Sequence, residues 1–268
     1  MDQKHGGSSF PESIRQRISG KSFRTDAVGM SKAQIMVFDD CVLKIVPYQE
    51  KNEETIRVMR WLEDKLPVPQ VLCYERDEER QYLLMSRIPG KMACDGYYLE
   101  RPKELAARLA EAIRMLWRVH IADCPRSRDP DAELREARFR VENVLVDVDQ
   151  ADPATFGAGG FKDPAHLLDW LEHNRPDYEP VFSHGDLCLP NIFLDKGRVS
   201  GLIDLGAAGI GDKWRDIALC YRSLKRNAEG AYGGKAYPET RAEALFEALG
   251  LAPDYEKIRF YLLLDELF

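Results

Sequence analysis

The stretch "VFSHGDLCLPNIFLDKGRVSGLIDLG", residues 181–206, carries the strongest functional signal in the chain. It places Asp186 and Asn191 on either side of a turn that contains Pro190, and it ends in "LIDLG", where Asp204 follows a short strand-like run. Each polar residue alone would suit a turn or a strand end. Together, an acid, an amide and a second acid returned by a hairpin supply the oxygen ligands that Mg²⁺ prefers. The spacing therefore predicts a magnesium-dependent site.

A magnesium site with a nearby carboxylate suits phosphoryl transfer, a reaction that also needs a cation to neutralise the phosphates. The sequence offers Lys44 for this role. This lysine lies within "CVLKIV", where apolar neighbours predict a strand, although a lysine that protects a sheet edge would look the same. A helix predicted over 52–66 should supply the acid that holds Lys44. Glu54 shares a helical stripe with Val58, so we expect Glu54 to be that acid, with Glu53 as the alternative.

The remaining pattern divides the chain in two. Short β-rich runs at 34–38 and 41–46 predict a hairpin, and together with the runs at 70–75 and 81–88 and the helix over 52–66 they form a small antiparallel sheet with one helix. After "PG" at 89–90 the pattern is mainly helical, with helices predicted over 102–120, 131–148 and 164–174 and three more after residue 206. We therefore expect an α+β, two-lobe fold with an N-terminal lobe at 1–87, a hinge at about 86–90 and a C-terminal lobe at 88–268.

Composition narrows the classes of partner. The 268 residues carry a net charge of −7, which argues against nucleic-acid binding. The six cysteines show no CxxC pair, so their spacing does not indicate a zinc site. No apolar run is long enough to cross a membrane. We expect a cytoplasmic protein that binds neither nucleic acid nor membrane.

Several segments resemble one known family. "HGDLCLPNIF" with "SGLIDLG" is similar to the catalytic loop and metal motif of the aminoglycoside phosphotransferases, which have a protein-kinase-like fold. The resemblance is closest to the 3′-phosphotransferases, the kanamycin and neomycin kinases. It extends through "WLEDKLPVPQVL", "LLMS", "FKDP" and "DKWRDIALCYRS" to the C-terminal "YLLLDELF".

The resemblance implies roles for individual residues. Asp186 would be the catalytic base, Asn191 and Asp204 would hold Mg²⁺, and Lys44 would contact the α- and β-phosphates of ATP or GTP. The other implied nucleotide contacts are Met30 and Ser31 in a loop over the phosphates, Met85 behind the adenine, and backbone groups of Ser86 and Ile88. The implied supports of the catalytic loop are His184 and Asp216. The implied contacts to the drug's ammonium groups are Asp265, Glu266 and the carboxylate of Phe268.

The sequence also departs from the family pattern. The helix glutamate of the family falls at Thr55, an arginine after "IDLG" is Ala207, and a substrate-facing acidic pair is Arg226 and Asn227. Because clustered acids hold polycationic substrates, we expect a narrower or weaker drug spectrum.

The resemblance implies a monomeric or weakly dimeric kinase that phosphorylates a hydroxyl, the 3′-OH, of aminoglycosides and so confers resistance. Two alternatives stay open at this point. One is a metabolic small-molecule kinase on the same fold, acting on choline, homoserine or a sugar. The other is a non-catalytic, nucleotide-binding regulator.

Overall fold

The computed structural model describes residues 10–26 and 33–268. The predicted phosphate-loop residues Met30 and Ser31 lie outside the described residues. No helix in the described ranges is long and apolar enough to span a membrane.

The N-terminal part is built on an antiparallel sheet whose described strands lie in the order β1-β2-β3-β5-β4. Their bounds are β1 Arg24–Asp26, β2 Gln34–Val37, β3 Cys41–Pro47, β4 Val71–Arg76 and β5 Arg80–Ser86. The predicted hairpin is confirmed, since β2 pairs with β3 and Ile35 lies opposite Lys44. Alternation along β3 buries Cys41, Leu43 and Ile45 on one face, so Lys44 projects from the other.

Two helices accompany this sheet, α1 (Glu12–Ile18) and α2 (Glu50–Leu62). The sequence predicted only the second, and α2 ends four residues earlier than the predicted residue 66. Ile14 and Ile18 of α1 join a core cluster with the buried face of the sheet. The buried face of α2 instead joins the large core of the helical part. The division of the chain at residue 87 therefore stays a prediction.

The C-terminal part is mainly helical, as predicted. Its helices are α3 (Gly96–Leu99), α4 (Pro102–Trp117), α5 (Pro130–Glu142), α6 (Pro153–Phe156), α7 (Pro164–His173), α8 (Lys213–Ala228), α9 (Ala244–Leu249) and α10 (Tyr255–Asp265). Helix α4 begins at a proline and buries Leu105, Leu109 and Ile113 on one stripe, the arrangement of a helix that faces a core. Helix α5 stops at Glu142 rather than at the predicted residue 148, because Val144 adopts a left-handed backbone with φ 56°.

Short strands between these helices position the polar segment of residues 181–206. β7 (Pro180–Ser183) pairs with β10 (Gly209–Asp212), and β8 (Ile192–Asp195) pairs with both β6 (Lys91–Met92) and β9 (Arg198–Leu202). The turn between β7 and β8 and the turn after β9 consequently lie next to each other.

Candidate active site

The turn between β7 and β8 carries Asp186 and is fixed from beneath by α8. Asp216 of α8 is fully buried, and its two carboxylate oxygens accept from the backbone N–H groups of His184 and Gly185, both at 2.9 Å. Burial raises the pKa of Asp216, while these two backbone N–H donors favour its charged form. Gly185 has φ 78°, and a side chain there would collide with the backbone of Ala207. The structure thus brings the two predicted supports, His184 and Asp216, directly under the loop.

His184 connects this loop to the strand that precedes Asp204. Its Nδ1 accepts from the backbone N–H of Asp186 at 3.3 Å, so its Nε2 carries the proton and donates to the carbonyl of Ile203 at 2.8 Å. The ring is fully buried. One buried imidazole therefore fixes the spacing between the backbones that carry Asp186 and Asp204.

Both carboxylate oxygens of Asp186 have partners. The Cys188 thiol donates to Oδ1 at 3.1 Å, and Asn191 Nδ2 donates to Oδ2 at 3.1 Å. Burial raises the pKa of Asp186; the Cys188 hydrogen bond opposes this, and the nearby charges of Asp265 and Asp204 add to it. Burial likewise raises the pKa of the Cys188 thiol, which keeps it a proton donor. The result is a carboxylate with a defined orientation.

Asp204 reaches the same place from the other side of the β8–β9 hairpin. The backbone N–H of Ile203 donates to the carbonyl of Asn191 at 2.9 Å, so Asn191 and Asp204 are near neighbours across the hairpin. Asp204 has a left-handed backbone (φ 61°, ψ 61°), a conformation that costs energy in a non-glycine residue. Its Oδ1 lies 3.1 Å from Lys44 Nζ, and its side chain is 52% exposed.

The donor atoms here fit a magnesium ion. Asn191 uses its amide nitrogen toward Asp186, which leaves its amide oxygen as a ligand, and Asp204 offers a carboxylate that is only half-buried. Carboxylate and amide oxygens are hard ligands of the kind Mg²⁺ takes.

A cavity of about 610 Å³ opens beside Lys44 and Asp204. Its wall is largely apolar and includes Val42, Met59, Leu83, Phe193 and Leu205. The predicted nucleotide contacts that line it are Lys44, Met85, Ser86 and Ile88. The backbone N–H of Ser86 already donates to the carbonyl of Gln70 at 2.9 Å, so this N–H is not available to a ligand.

Glu54 does not join this group, which corrects the prediction that it holds Lys44. Its carboxylate faces solvent, 3.9 Å from Arg57, while Glu53 pairs with Arg76 at 3.2 Å. The reason is helical rotation, because each residue turns the side chain by about 100°. The positions of α2 that line the cavity are Thr55 and, one turn further, Met59.

The predicted drug contacts Asp265 and Glu266 lie next to arginines of α8. Arg215 Nη2 donates to Asp265 Oδ1 at 2.9 Å, and Arg222 contacts both Asp265 Oδ2 and Glu266 Oε1. Burial alone would raise the pKa of Asp265, but the charges of Arg215 and Arg222 hold it below its ordinary value. Burial raises the pKa of Glu266.

Asp152 and the C-terminal carboxylate of Phe268, which lie near these acids, are also paired with arginines. Arg226 Nη2 donates to Asp152 Oδ2 at 2.5 Å, and the backbone N–H of Asp152 donates to Glu266 Oε2 at 2.7 Å. At the C-terminus, a terminal oxygen of Phe268 accepts from Arg140 Nη2 at 2.7 Å. The structure therefore places the predicted Phe268 carboxylate on a cation of its own chain.

Sequence reasoning missed the arginines that hold these acids. Arg215 and Arg222 stand seven residues apart on α8, so they lie on one helix face, and that spacing could have revealed them. It also missed Cys188, whose position two residues after Asp186 was visible. Arg126, in the loop before α5, gave no pattern at all.

The sequence of this chain is similar to those of known phosphotransferases. The sequence pattern of the phosphotransferase enzyme family matches residues 13–261. An aminoglycoside 3′-phosphotransferase from Enterococcus faecalis is 40% identical over 246 residues, covering 90% of this chain and 87% of that protein.

Solved structures agree. The aminoglycoside 3′-phosphotransferase of type VIII superposes with a TM-score of 0.78 at 27% identity, over 96% of this chain and 97% of that one. The aminoglycoside phosphotransferase APH(3″)-Id from Streptomyces rimosus, in complex with ADP and streptomycin, gives a TM-score of 0.76 at 25% identity, over 95% and 96% of the two chains. These matches confirm the predicted two-lobe, protein-kinase-like fold.

Proposed function

Because this chain belongs to the phosphotransferase enzyme family, we propose that it transfers the γ-phosphate of ATP to the 3′-OH of aminoglycoside antibiotics. The observation that carries the proposal is the arrangement around Asp186, where a partly buried, oriented carboxylate lies beside the Asn191–Asp204 pair and the Lys44 ammonium. The choice of an aminoglycoside as acceptor is supported by the relatives, such as the 40% identical aminoglycoside 3′-phosphotransferase.

In this proposal Asp186 accepts a hydrogen bond from the acceptor hydroxyl. This bond orients the hydroxyl oxygen toward the γ-phosphorus. The new O–P bond forms as the bond from the γ-phosphorus to the β,γ-bridging oxygen breaks, and the hydroxyl proton passes to Asp186 late. A loose transition state needs orientation more than it needs a strong base. The Cys188 and Asn191 contacts supply that orientation by fixing both carboxylate oxygens.

Asn191 and Asp204 would hold Mg²⁺ through their side-chain oxygens. The ion would neutralise the phosphate charge that develops during transfer. Lys44 adds a second positive charge on the same side, and its ion pair with Asp204 holds the ammonium at the mouth of the cavity.

The nucleotide would occupy the 610 Å³ cavity. Apolar side chains around Met85 would enclose the base, and the carbonyl of Ser86 with the backbone of Ile88 would face its polar edge. Met30 and Ser31 are proposed to lie over the phosphates. We propose ATP as the donor, with GTP as the competing donor to be compared.

The acceptor would bind against Asp265 and Glu266, and the charge of Asp265 is close enough to Asp186 and Cys188 to raise the pKa values of both. We call Asp152, Asp265 and Glu266 the acceptor-side acids. Each already has an arginine partner on α8, so an incoming ammonium group must share or displace a guanidinium. This competition supports the expectation of a narrower or weaker drug spectrum. The paired Phe268 carboxylate would contribute less than the side-chain acids.

Phosphorylation would add negative charge to a drug that binds RNA through its positive charge, so the expected outcome is resistance. All six cysteines are free thiols, which suits a reducing cytoplasm. We propose a monomer or weak dimer there.

The test is purified protein with kanamycin A, Mg²⁺ and either ATP or GTP, with product mass and nucleotide consumption followed together. We expect drug-dependent turnover that EDTA stops and a product heavier by one phosphoryl group. Turnover with choline, homoserine or a sugar but with no aminoglycoside would identify a metabolic kinase. Tight nucleotide binding without turnover on any acceptor would identify a regulator.

A further inference from the structure

Arg126, in the loop between α4 and α5, contacts two separate parts of the proposed site. Its Nε donates to the carbonyl of Ala208 at 2.5 Å, and its Nη2 donates to the carbonyl of Leu205 at 2.9 Å. Its Nη1 donates to Thr55 Oγ1 of α2 at 3.3 Å. Each nitrogen of the guanidinium therefore donates to a different group, and no ion pair of Arg126 is found among residues 10–26 and 33–268.

The position of this side chain is set by its backbone. The carbonyl of Arg126 accepts from the N–H of Ile210 at 2.9 Å, and Ser127 forms a parallel bridge with the same residue of β10. Burial, aided by the charge of Arg128, lowers the pKa of Arg126 to about 10, so the guanidinium stays protonated at neutral pH. The charges of Glu54 and Glu136 oppose this lowering from a distance. Because no described carboxylate lies within ion-pair distance of this half-buried cation, its hydrogen bonds go to the carbonyl oxygens and the Thr55 hydroxyl.

Those carbonyls bracket the short 3₁₀ turn Leu205–Ala207, which begins directly after Asp204. Asp204 has the left-handed backbone described above, and such a conformation persists only where the surroundings hold it. Arg126 is the side chain that ties both ends of the following turn together. Without the Arg126 guanidinium, the Asp204 carboxylate would no longer be held in one orientation.

We propose that Arg126 is a positioning residue that fixes the carboxylate of Asp204 and links it to α2 through Thr55. The helix does not reach the site through Glu54, which faces solvent. Thr55 lines the nucleotide cavity, so the Arg126–Thr55 contact joins the cavity wall to the Asp204 turn. The inference rests on the phosphoryl-transfer function proposed above.

The first test replaces the guanidinium by an apolar chain of similar length, Arg126→Met. We expect kcat to fall roughly 10- to 100-fold and the Mg²⁺ concentration for half-maximal rate to rise, as when an outer partner of a metal ligand is lost. A second readout needs no turnover: Mg²⁺ should tighten ADP binding, measured by calorimetry, much less in the variant than in the unaltered protein. Arg138→Met is the matched control, because that exposed guanidinium pairs with Glu172 on α7.

Further variants test the inference independently of folding. Arg126→Lys keeps the charge but reaches fewer acceptors, so it should show an intermediate loss, and it replaces the methionine variant if that one does not melt cooperatively. Thr55→Val removes one hydrogen bond and should lower kcat by about two- to fivefold, with an effect that is not additive with that of Arg126→Met.

Two results would overturn the inference. One is a folded Arg126→Met protein whose kcat, Mg²⁺ response and ADP binding all match the unaltered protein. The other is a lower melting temperature with those three quantities unchanged, because that would make Arg126 purely structural. Failure of the unaltered protein to phosphorylate any acceptor would instead refute the proposed function, so the two failures are distinguishable.

Discussion

The nucleotide side and the acceptor side of the site satisfy their charges in different ways. On the nucleotide side, Asp204 is half-exposed and has Lys44 as its ion-pair partner, so both groups are left accessible to phosphates and a cation. On the acceptor side, Asp265 is held by two arginines and Asp152 by a third. The contrast indicates that the charged groups for phosphoryl transfer are accessible to the nucleotide and the metal ion. The acids that would bind a cationic acceptor are instead already paired with arginines of the same chain.

The largest kinetic effect should come from Asp186→Asn. The asparagine keeps the shape of the side chain but cannot accept the proton, so we expect kcat with kanamycin A to fall by about 10²- to 10⁴-fold. Nucleotide affinity, measured by calorimetry, should hardly change. Asp169→Asn, on an exposed position of α7, is the control. Retention of more than about a hundredth of the rate would contradict the role of Asp186.

The next effect concerns stability on the acceptor side. Arg215 is buried between Glu133 and Asp265, at 3.3 Å and 2.9 Å. Arg215→Met leaves Glu133 without its closest cation, so we expect a loss of about 3–5 kcal/mol in the free energy of unfolding. Urea denaturation measures it, with Arg138→Met, an exposed pair, expected to cost no more than about 1 kcal/mol. Equal losses in both variants would show that the buried arginine network is not special.

A smaller effect should follow from releasing one acceptor-side acid. Arg226→Ala frees Asp152, whose side chain is 39% exposed. We expect KM for kanamycin A to fall by about two- to fivefold with kcat little changed, since a partly exposed pair contributes less than about 1 kcal/mol. Arg241→Ala, which removes an exposed pair with Glu247 far along the chain, serves for comparison. A raised KM in Arg226→Ala would mean that the guanidinium helps to bind the drug.

The smallest effect is expected at Glu54. Its carboxylate points to solvent, so Glu54→Gln should change kcat and the KM for ATP by less than about twofold, within the range of a neutral surface substitution. Steady-state kinetics at saturating kanamycin A decide the matter. A tenfold loss would show that Glu54 turns toward Lys44 once a nucleotide is bound.

These residues also show what the sequence could and could not reveal. The order Lys44, Asp186, Asn191, Asp204 is visible because each residue stands in a short motif with its own turn or strand signal. Glu54 was misplaced because a helix rotates by about 100° per residue, and the hydrophobic stripe does not fix which flanking residue faces a cleft. Arg126 could not be found at all, since its partners are main-chain carbonyls about eighty residues away in the sequence, which leave no pattern.

The most direct test of the central claim compares kanamycin B with tobramycin, which differ in the 3′-OH that tobramycin lacks. Both are incubated with the protein, ATP and Mg²⁺, and the phosphate is located on the product by ³¹P-coupled NMR. We predict that kanamycin B gains one phosphate at the 3′ oxygen and that tobramycin is left unmodified. Phosphorylation of tobramycin at a comparable rate, or of kanamycin B at another position, would contradict the proposed regiochemistry.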